Sequence, residues 1–393
     1  MVRILIGMDV HKRSVYITEM ENDGNVKEQY EMDNSSASWD QFRNRYLQMN
    51  PEIALEVSTT GKYVARKLSD MGFHVHPADP VKLALIFNTS KKNDKEDSYK
   101  LAKLLRLGEL PEVHLPSKEA DDLRSLVRYR KSLGEEITML KNRVQAILAG
   151  NGIAITATDI FGRKGIREIE RSSVKINSSD RTVLSDILHR IADLKDRETL
   201  IEDEISRAAD NRGDVKLLLS IPGINVYSAA VIAAEIDDIS RFKSKEKLAS
   251  YAGLVPRQDQ SGARDIRGHI SKHGPSALRF ILVNAAHLVV RYSERMRKKY
   301  LSIVRRLGKN RAIVAIARIL LETIFMMLSR NIEFVDSIDS LTERKIMAMS
   351  ARARNTRQVM KLEHSIKLIK ERRLEGSPKE LFSSKVMDHF PGV

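Results

Sequence analysis

Short apolar segments in the first 80 residues constrain the fold more strongly than any other feature of the sequence. Apolar runs of strand length lie at residues 3–9, 14–20, 26–32, 52–58 and 73–78. Asp23-Gly24 separates the second run from the third, and this dipeptide favours a hairpin turn. Helical spacing follows in residues 61–72 and 94–108, and each segment ends at a glycine. We therefore predict an α/β domain with a mixed sheet over residues 1–112.

The next part of the sequence changes to long amphipathic helices. Residues 117–150 form one helical pattern, interrupted only by Gly134, and residues 180–210 form a second. Residues 151–180 are polar and are predicted to be irregular. Two long charged helices that flank a loop indicate an antiparallel coiled-coil arm over residues 113–213. A helical-bundle spacer is the alternative.

Residues 214–334 are predicted to be mainly helical. They begin with two apolar helices joined at Pro222-Gly223, which resembles a helix-hairpin-helix. In that motif the turn and the second helix can hold a phosphate, but a plain helical hairpin is an equal alternative. A polar loop is predicted at residues 257–274, with helices after it. Residues 335–393 form a basic extension to which we assign no role.

Composition favours a nucleic-acid partner. The chain carries 67 lysines and arginines against 52 acidic residues, a net charge of +15, which attracts nucleic acid first and an anionic membrane second. Cysteine is absent, so any metal must be bound by oxygen or imidazole. The most apolar segment, residues 312–329, contains Arg318 and Glu322 and is interpreted as a buried helix. We expect no membrane span and, without a signal peptide, a cytoplasmic location.

Four carboxylates stand out by position: Asp9, Glu56, Asp94 and Asp97. The first two lie at the ends of apolar strands, where an uncompensated charge is costly. The other two lie three residues apart at a helix start, hence on one face. If the strands are neighbours, the four converge and could bind Mg²⁺ or Mn²⁺ for phosphate chemistry, as in an RNase H-like nuclease. Simple capping of the helix is the alternative explanation for the aspartate pair.

The predicted loop after Pro256 contains a candidate nucleophile, Ser261. Taken alone, Ser261-Gly262 indicates only a turn. Cations follow it closely, and such groups could hold a phosphodiester and stabilise its transition state; they are Arg264, Arg267, His269, Lys272 and His273. A serine that attacked phosphorus would form a phosphoserine intermediate and conserve the bond energy for rejoining.

Five segments in order carry a family resemblance: "IGMDVHK", "ALEVSTTGKYVARKL", "KNDKEDSYKLAKLL", "SIPGINVYSAAVIAAEI" and the long segment from "RFKSKEKL" to "ILVNAA". Together they resemble DEDD transposases of the insertion-sequence-one-ten family, also called bridge-RNA-guided recombinases. The resemblance implies a RuvC-like, RNase H-fold domain, a coiled-coil region and a transposase domain with a nucleophilic serine. One departure is that the family often has Thr-Asp-x-x-Asp-Ala where this chain has "NDKEDS".

The resemblance also implies specific residues and partners. The acidic tetrad falls on Asp9, Glu56, Asp94 and Asp97, and the serine falls on Ser261. The implied nucleic-acid partners are double-stranded target and donor DNA and a structured guide (bridge) RNA. The chain is also implied to form a dimer that assembles to a tetramer. In that tetramer the acidic tetrad of one subunit meets the serine of another. Two other functions stay open: a metal-dependent nuclease resembling a Holliday-junction resolvase, which uses water, and a non-catalytic nucleic-acid scaffold.

Overall fold

A computed structural model describes residues 3–86, 93–261, 264–355 and 365–367, without the side chains of residues 258–268. The chain forms two compact units, Met1–Pro116 and Ser117–Val393. The finer division at residues 112, 213 and 334 stays a prediction.

The first unit is built on a five-stranded mixed sheet. Its strands are β1 (Ile4–Val10), β2 (Ser14–Glu21), β3 (Val26–Asp33), β4 (Glu52–Glu56) and β5 (His74–Ala78), in the order β3-β2-β1-β4-β5. The first three strands are antiparallel, whereas β4 and β5 run parallel to β1. Its helices are α1 (Ser36–Tyr46), α2 (Thr59–Asp70), α3 (Pro80–Ile86) and α4 (Asp94–Leu107). The predicted mixed α/β sheet is confirmed, and it fits an RNase H-like domain.

Both faces of this sheet are covered, as the alternation of side chains along β1 requires. Ile6 and Met8 join a cluster on one face with the aromatic side chains of α1 and the apolar side of α2. Leu5 belongs to the cluster on the other face, with Leu101 and Ala102 of α4. The central strands are therefore held in place from both sides, and their ends are fixed relative to α4.

The second unit begins with two long helices, α5 (Lys118–Gly150) and α7 (Ser178–Ala209). They run antiparallel. The end of α5 lies beside the start of α7, where the side-chain amide of Asn151 donates a hydrogen bond to Asp180 at 2.8 Å. The prediction that Gly134 interrupts the first helix is wrong: α5 runs through it without a break. The predicted irregular segment is also partly helical, with α6 at Arg163–Ser172. The coiled-coil assignment stays a prediction.

The rest of the second unit is a helical core. Its helices are α8 (Gly213–Leu219), α9 (Val226–Ile236), α10 (Lys245–Tyr251), α11 (Ser276–Tyr292), α12 (Glu294–Leu307), α13 (Lys309–Arg330) and α14 (Asp339–Ala353). Among the described residues, α13 is the one helix long and apolar enough to span a membrane. Eight of its side chains are buried, seven of them in the main core cluster, and it carries the ion pair Arg318–Glu322, so it fits a core helix. A helix-hairpin-helix role for α8 and α9 stays a prediction.

Two further strands replace the polar loop predicted at residues 257–274. Strands β6 (Pro256–Ser261) and β7 (Arg264–Ile270) pair antiparallel as a hairpin. The loop prediction is wrong because the two strands carry almost no apolar residues, so no alternation of polar and apolar positions marks them.

Candidate active site

The parallel pairing of β1 and β4 brings two of the four predicted carboxylates to one edge of the sheet. Met8 pairs with Leu55, so the next residues along each strand, Asp9 and Glu56, reach the same level. Asp9 is half-buried and Glu56 is exposed at the end of its strand. Parallel strands finish at the same end of the sheet, so Asp9 and Glu56 lie side by side on neighbouring strands.

Helix α4 brings the other two carboxylates to that edge. Asp94 begins the helix and Asp97 lies one turn later. The cap, however, is Asn93, whose side-chain oxygen accepts a hydrogen bond from the Lys95 amide at 3.1 Å. Capping therefore does not require either aspartate, although negative charge in the first turn is favourable for the helix dipole.

A close backbone contact sets the position of α4 on the sheet. A methyl group added at Gly7 would overlap the Ser98 carbonyl oxygen and would lie 2.6 Å from the Ala102 nitrogen. Only glycine at this point of β1 permits that approach. The buried Ser98 hydroxyl then hydrogen-bonds the Thr18 hydroxyl of β2 at 2.7 Å. These contacts hold the first turn of α4 next to the end of β1.

His11 joins two of the carboxylates. Its Nε2 atom lies 3.2 Å from Asp9 Oδ2 and 3.3 Å from Asp94 Oδ2. The three residues offer donor atoms that all lie within 4.8 Å of one another. Asp97 and Glu56 line the cleft of about 680 Å³ that also contains Asp9, but they lie outside this three-residue group. Lys100 Nζ is 3.4 Å from Asp97 Oδ1.

Burial and neighbouring carboxylates both disfavour ionisation of Asp9 in this cleft. Burial raises the pKa of the Asp9 carboxyl above its ordinary value. His11 opposes the rise in pKa, while the charges of Asp94 and Asp97 add to it. A carboxylate whose ionised form is disfavoured by burial and by neighbouring carboxylates is stabilised by a bound cation.

The donor set fits a hard divalent cation. Carboxylate oxygens are the ligands that Mg²⁺ and Mn²⁺ prefer, and an imidazole suits the second of these ions as well. Asp9, Asp94 and His11 could hold such an ion, and Asp97 and Glu56 line the same cleft as Asp9. Sequence reasoning did not select His11, although it lies two residues after Asp9 in "DVHK".

The predicted nucleophile lies in the second unit. Ser261 is the last residue of β6, and its backbone pairs with Arg264, the first residue of β7. The side chains of Ser261, Arg264 and Arg267 lie outside the described residues. Lys272 is described: it is exposed, and its amide donates a hydrogen bond to the Gly253 carbonyl at 3.3 Å.

A strongly basic surface, which sequence analysis did not single out, surrounds α12. Residues 291–311 contain nine lysines and arginines and a single acidic residue, Glu294. All nine basic residues are exposed. Glu294 pairs with Lys298 at 2.8 Å, which leaves most of the charge of this segment uncompensated within it. The segment holds a net charge of +8 of the +15 carried by the whole chain, which is a footprint for a polyanion.

Comparisons with known proteins agree on one family. Residues 6–151 match the family model DEDD_Tnp_IS110, described as "Transposase", and residues 215–301 match one described as "Transposase IS116/IS110/IS902 family". Together the two models cover more than half of the chain. The segment that matches the first model contains Asp9, Glu56, Asp94 and Asp97, and the segment that matches the second contains Ser261.

Individual relatives give the same result. The transposase for insertion sequence element IS1111A of Coxiella burnetii is 28% identical over 62% of this chain and 68% of the relative. A probable family 20 transposase of Pseudomonas aeruginosa is 28% identical over 64% and 75%. The transposase for insertion sequence element IS1328 of Yersinia enterocolitica is 26% identical over 74% and 85%. The chain belongs to the insertion-sequence-one-ten (IS110) family of DEDD transposases, which are DNA recombinases.

Proposed function

We propose that this transposase cuts and rejoins DNA with a divalent cation, Mg²⁺ or Mn²⁺, held by Asp9, Glu56, Asp94 and Asp97. The observation that carries the proposal is that Asp9, Glu56 and Asp97 line one cleft while His11 links Asp94 to Asp9, together with the raised pKa of Asp9. Such an arrangement is electrostatically unfavourable unless a cation binds. His11 keeps Asp9 and Asp94 in place and is an additional ligand for the ion.

The carboxylates act by binding and orientation. A divalent cation held there would polarise a DNA phosphate and stabilise the attacking and leaving oxygens of an in-line displacement. Ser261 is the proposed nucleophile: its Oγ loses a proton and bonds to phosphorus, while the bond from phosphorus to one deoxyribose oxygen breaks and that oxygen takes up a proton. The phosphoserine ester conserves the energy that rejoining needs. Arg264, Arg267 and Lys272 are proposed to neutralise the developing charge.

The proposed reaction takes place in an assembly of several copies in the cytoplasm. Dimers pair into a tetramer, in which the carboxylates of one subunit act with Ser261 of another. A structured guide RNA that pairs with target and donor DNA is the proposed source of sequence choice. These partners rest on the family to which the chain belongs.

The α12 segment, residues 291–311, is proposed as a DNA-backbone surface. Arg305 and Arg306 are exposed in its last turn, and the neutralisation of phosphates by such side chains releases counterions. Their joint replacement by alanine should weaken DNA binding and reduce the salt dependence, by about one unit of slope for each phosphate that is no longer neutralised. Arg197→Ala is the matched control, because Arg197 is exposed but pairs with Asp193. Equal weakening of DNA binding in both variants would contradict this assignment.

One experiment separates the serine mechanism from a nuclease that uses water. Purified protein is incubated with its guide RNA, target DNA and Mg²⁺, and the products are resolved on a denaturing gel. The proposal predicts a covalent protein–DNA adduct that Ser261→Ala loses together with cleavage, while DNA binding is retained. Ser271→Ala, a half-buried serine one residue after β7, should keep both. Cleavage by Ser261→Ala would establish water as the nucleophile, and binding without any cleavage by wild type would favour the scaffold alternative.

A further inference from the structure

We propose that Glu52, His74 and His76 form a second cation site, for a transition-metal ion of the zinc class, at the end of the sheet where β4 and β5 begin. Glu52 is the first residue of β4 and pairs with His74, the first residue of β5. The carboxylate cleft lies at the opposite end of β4, where that strand finishes at Glu56. The two sites therefore share one strand and use different residues.

Strand geometry brings the three donors together. His74 and His76 are two residues apart on β5, so both side chains leave the same face of the sheet. His76 Nε2 lies 3.2 Å from His74 Nδ1 and 3.4 Å from Glu52 Oε2. All three donor atoms fall within 4.8 Å of one another.

The two shortest donor distances match a tetrahedral zinc centre. Zinc–nitrogen and zinc–oxygen bonds of about 2.0–2.1 Å place neighbouring ligand atoms about 3.3–3.4 Å apart in a tetrahedron. Two imidazoles and one carboxylate are a donor set that suits Zn²⁺, Ni²⁺ or Cu²⁺ better than Mg²⁺. Three protein ligands leave a fourth position for water or for a group from a partner.

A second carboxylate orients the central histidine. His76 Nδ1 lies 2.7 Å from Glu112 Oε1, and a proton on Nδ1 that is donated to Glu112 leaves the Nε2 lone pair directed at the site. Metal-ligating histidines commonly have such a carboxylate partner. The Glu112 backbone is itself held by a bridge to Ala78 at the end of β5.

Arg3 is the cation that competes for this site. Its Nε donates to Glu52 Oε1 at 2.9 Å, and a second guanidinium nitrogen pairs with Oε2. Metal binding must therefore displace one of these contacts. Arg3→Gln should consequently increase the affinity for metal, whereas a cluster that serves only as an ion-pair network would show no such gain.

Untagged protein tests the proposal, by calorimetric titration with Zn²⁺ and by the visible absorption of Co²⁺ in excess Mg²⁺. All variants carry Asp9→Asn and His11→Gln, which removes the His11-containing donor group of the cleft. We expect one equivalent of Zn²⁺ to bind this background and a tetrahedral Co²⁺ spectrum to appear. His76→Gln should weaken binding at least tenfold, Glu112→Gln should weaken it by about 10-fold or more, and Arg3→Gln should strengthen it.

His189→Gln is the matched control, since His189 is an exposed histidine on α7. Circular dichroism establishes that each variant remains folded. Zinc binding that is absent from the background protein, or unchanged by His76→Gln, would overturn the proposal. Either result would leave the DNA-cleavage proposal intact, because the cleft carboxylates are tested separately by strand cleavage in Mg²⁺.

Discussion

The two ends of strand β4 place carboxylates in opposite electrostatic surroundings. At its end, Glu56 lines a cleft with Asp9 and Asp97, and one histidine is the nearest basic partner of Asp9. At its beginning, Glu52 is paired with Arg3 and lies 3.4 Å from a histidine. The first end concentrates negative charge and suits a hard cation, whereas the second end carries its own cation and imidazole donors.

The pKa values follow this difference. Burial and neighbouring carboxylates raise the pKa of Asp9. Burial also opposes ionisation of Glu52, but the hydrogen bond and charge of Arg3, with His76 and His74, lower its pKa overall. The pKa values of these two half-buried carboxyls on adjacent strands thus shift in opposite directions, because burial dominates at Asp9 whereas cationic partners dominate at Glu52. We therefore predict that the two ends can be perturbed independently.

Gly7→Ala should have the largest effect and should damage only the cleft end. Its methyl group has no space between β1 and the backbone of α4, so the helix must move and carry Asp94 and Asp97 with it. Overpacking of this kind costs about 1–3 kcal/mol, or more where backbone is the obstacle. We expect a lower melting temperature and loss of DNA cleavage, measured by calorimetry and a strand-cleavage assay.

Gly150→Ala is the control for that substitution. Gly150 ends α5 and has no neighbour within 4 Å of an added methyl group, so stability and cleavage should stay the same. We also expect Gly7→Ala to keep the Zn²⁺ affinity of the Glu52 end. Wild-type cleavage by Gly7→Ala would show that the close contact with α4 does not position the site.

Thr18→Val should have an intermediate effect. It removes the buried hydroxyl that bonds Ser98 on α4 and also accepts from Gln29 at 2.9 Å. Ser98 and Gln29 both keep a hydrogen bond to the Lys95 carbonyl, at 3.0 Å and 3.4 Å, so the loss should cost about 0.5–1.5 kcal/mol. Ser98→Ala should have a comparable cost, because it removes the bond to Thr18 and also the bond that the Ser98 hydroxyl donates to the Lys95 carbonyl at 3.0 Å, while Thr18 keeps its bond to Gln29. A double-mutant cycle on unfolding free energies measures the coupling, and additivity of the two changes would contradict a direct bond.

The pH dependence of stability should give the smallest effect, with opposite signs at the two ends. When a chelator has removed divalent cations, the raised pKa of Asp9 means that ionisation of this carboxyl at neutral pH lowers the free energy of unfolding. Asp9→Asn should therefore be more stable than wild type at neutral pH. The lowered pKa of Glu52 contributes stability at neutral pH that is lost on acidification, so Glu52→Gln should be less stable.

The Asp9 difference should vanish as pH falls from the raised folded-state pKa to the unfolded-state pKa, whereas the Glu52 difference should begin to shrink at its unfolded-state pKa and vanish below its lowered folded-state pKa. Melting temperatures measured from pH 7 to pH 3 test this pair of signs. Shifts of the same sign in both variants would show that the two ends do not differ as described.

Much of the first unit can be predicted from local sequence. The five strands follow from apolar runs of the right length, and Gly108 ends α4 in the left-handed conformation that its position suggests. Helix α1 was not predicted, because only Trp39, Phe42 and Tyr46 mark its buried face within a polar segment. Their spacing is a helical signal, but a weak one in eleven residues.

In the candidate site, too, local sequence features could be predicted, whereas contacts that depend on tertiary packing could not. The four carboxylates stand out because each lies at an element end, which is a local property. The role of Gly7 depends on a backbone 91 residues later in the chain, and the contact of His11 with Asp94 depends on the same packing. The hairpin that carries Ser261 lacks the apolar alternation that would reveal it.

The central claim is that the cleft carboxylates jointly hold a divalent cation, and binding of Mn²⁺ tests it most directly. Electron paramagnetic resonance titration should be done in a His76→Gln background, so that the Glu52 end does not contribute. We predict that this protein binds Mn²⁺, that Asp9→Asn weakens binding at least tenfold, and that Asp33→Asn, an exposed aspartate at the end of β3, does not. Equal Mn²⁺ binding by the Asp9→Asn and Asp33→Asn proteins would contradict the claim.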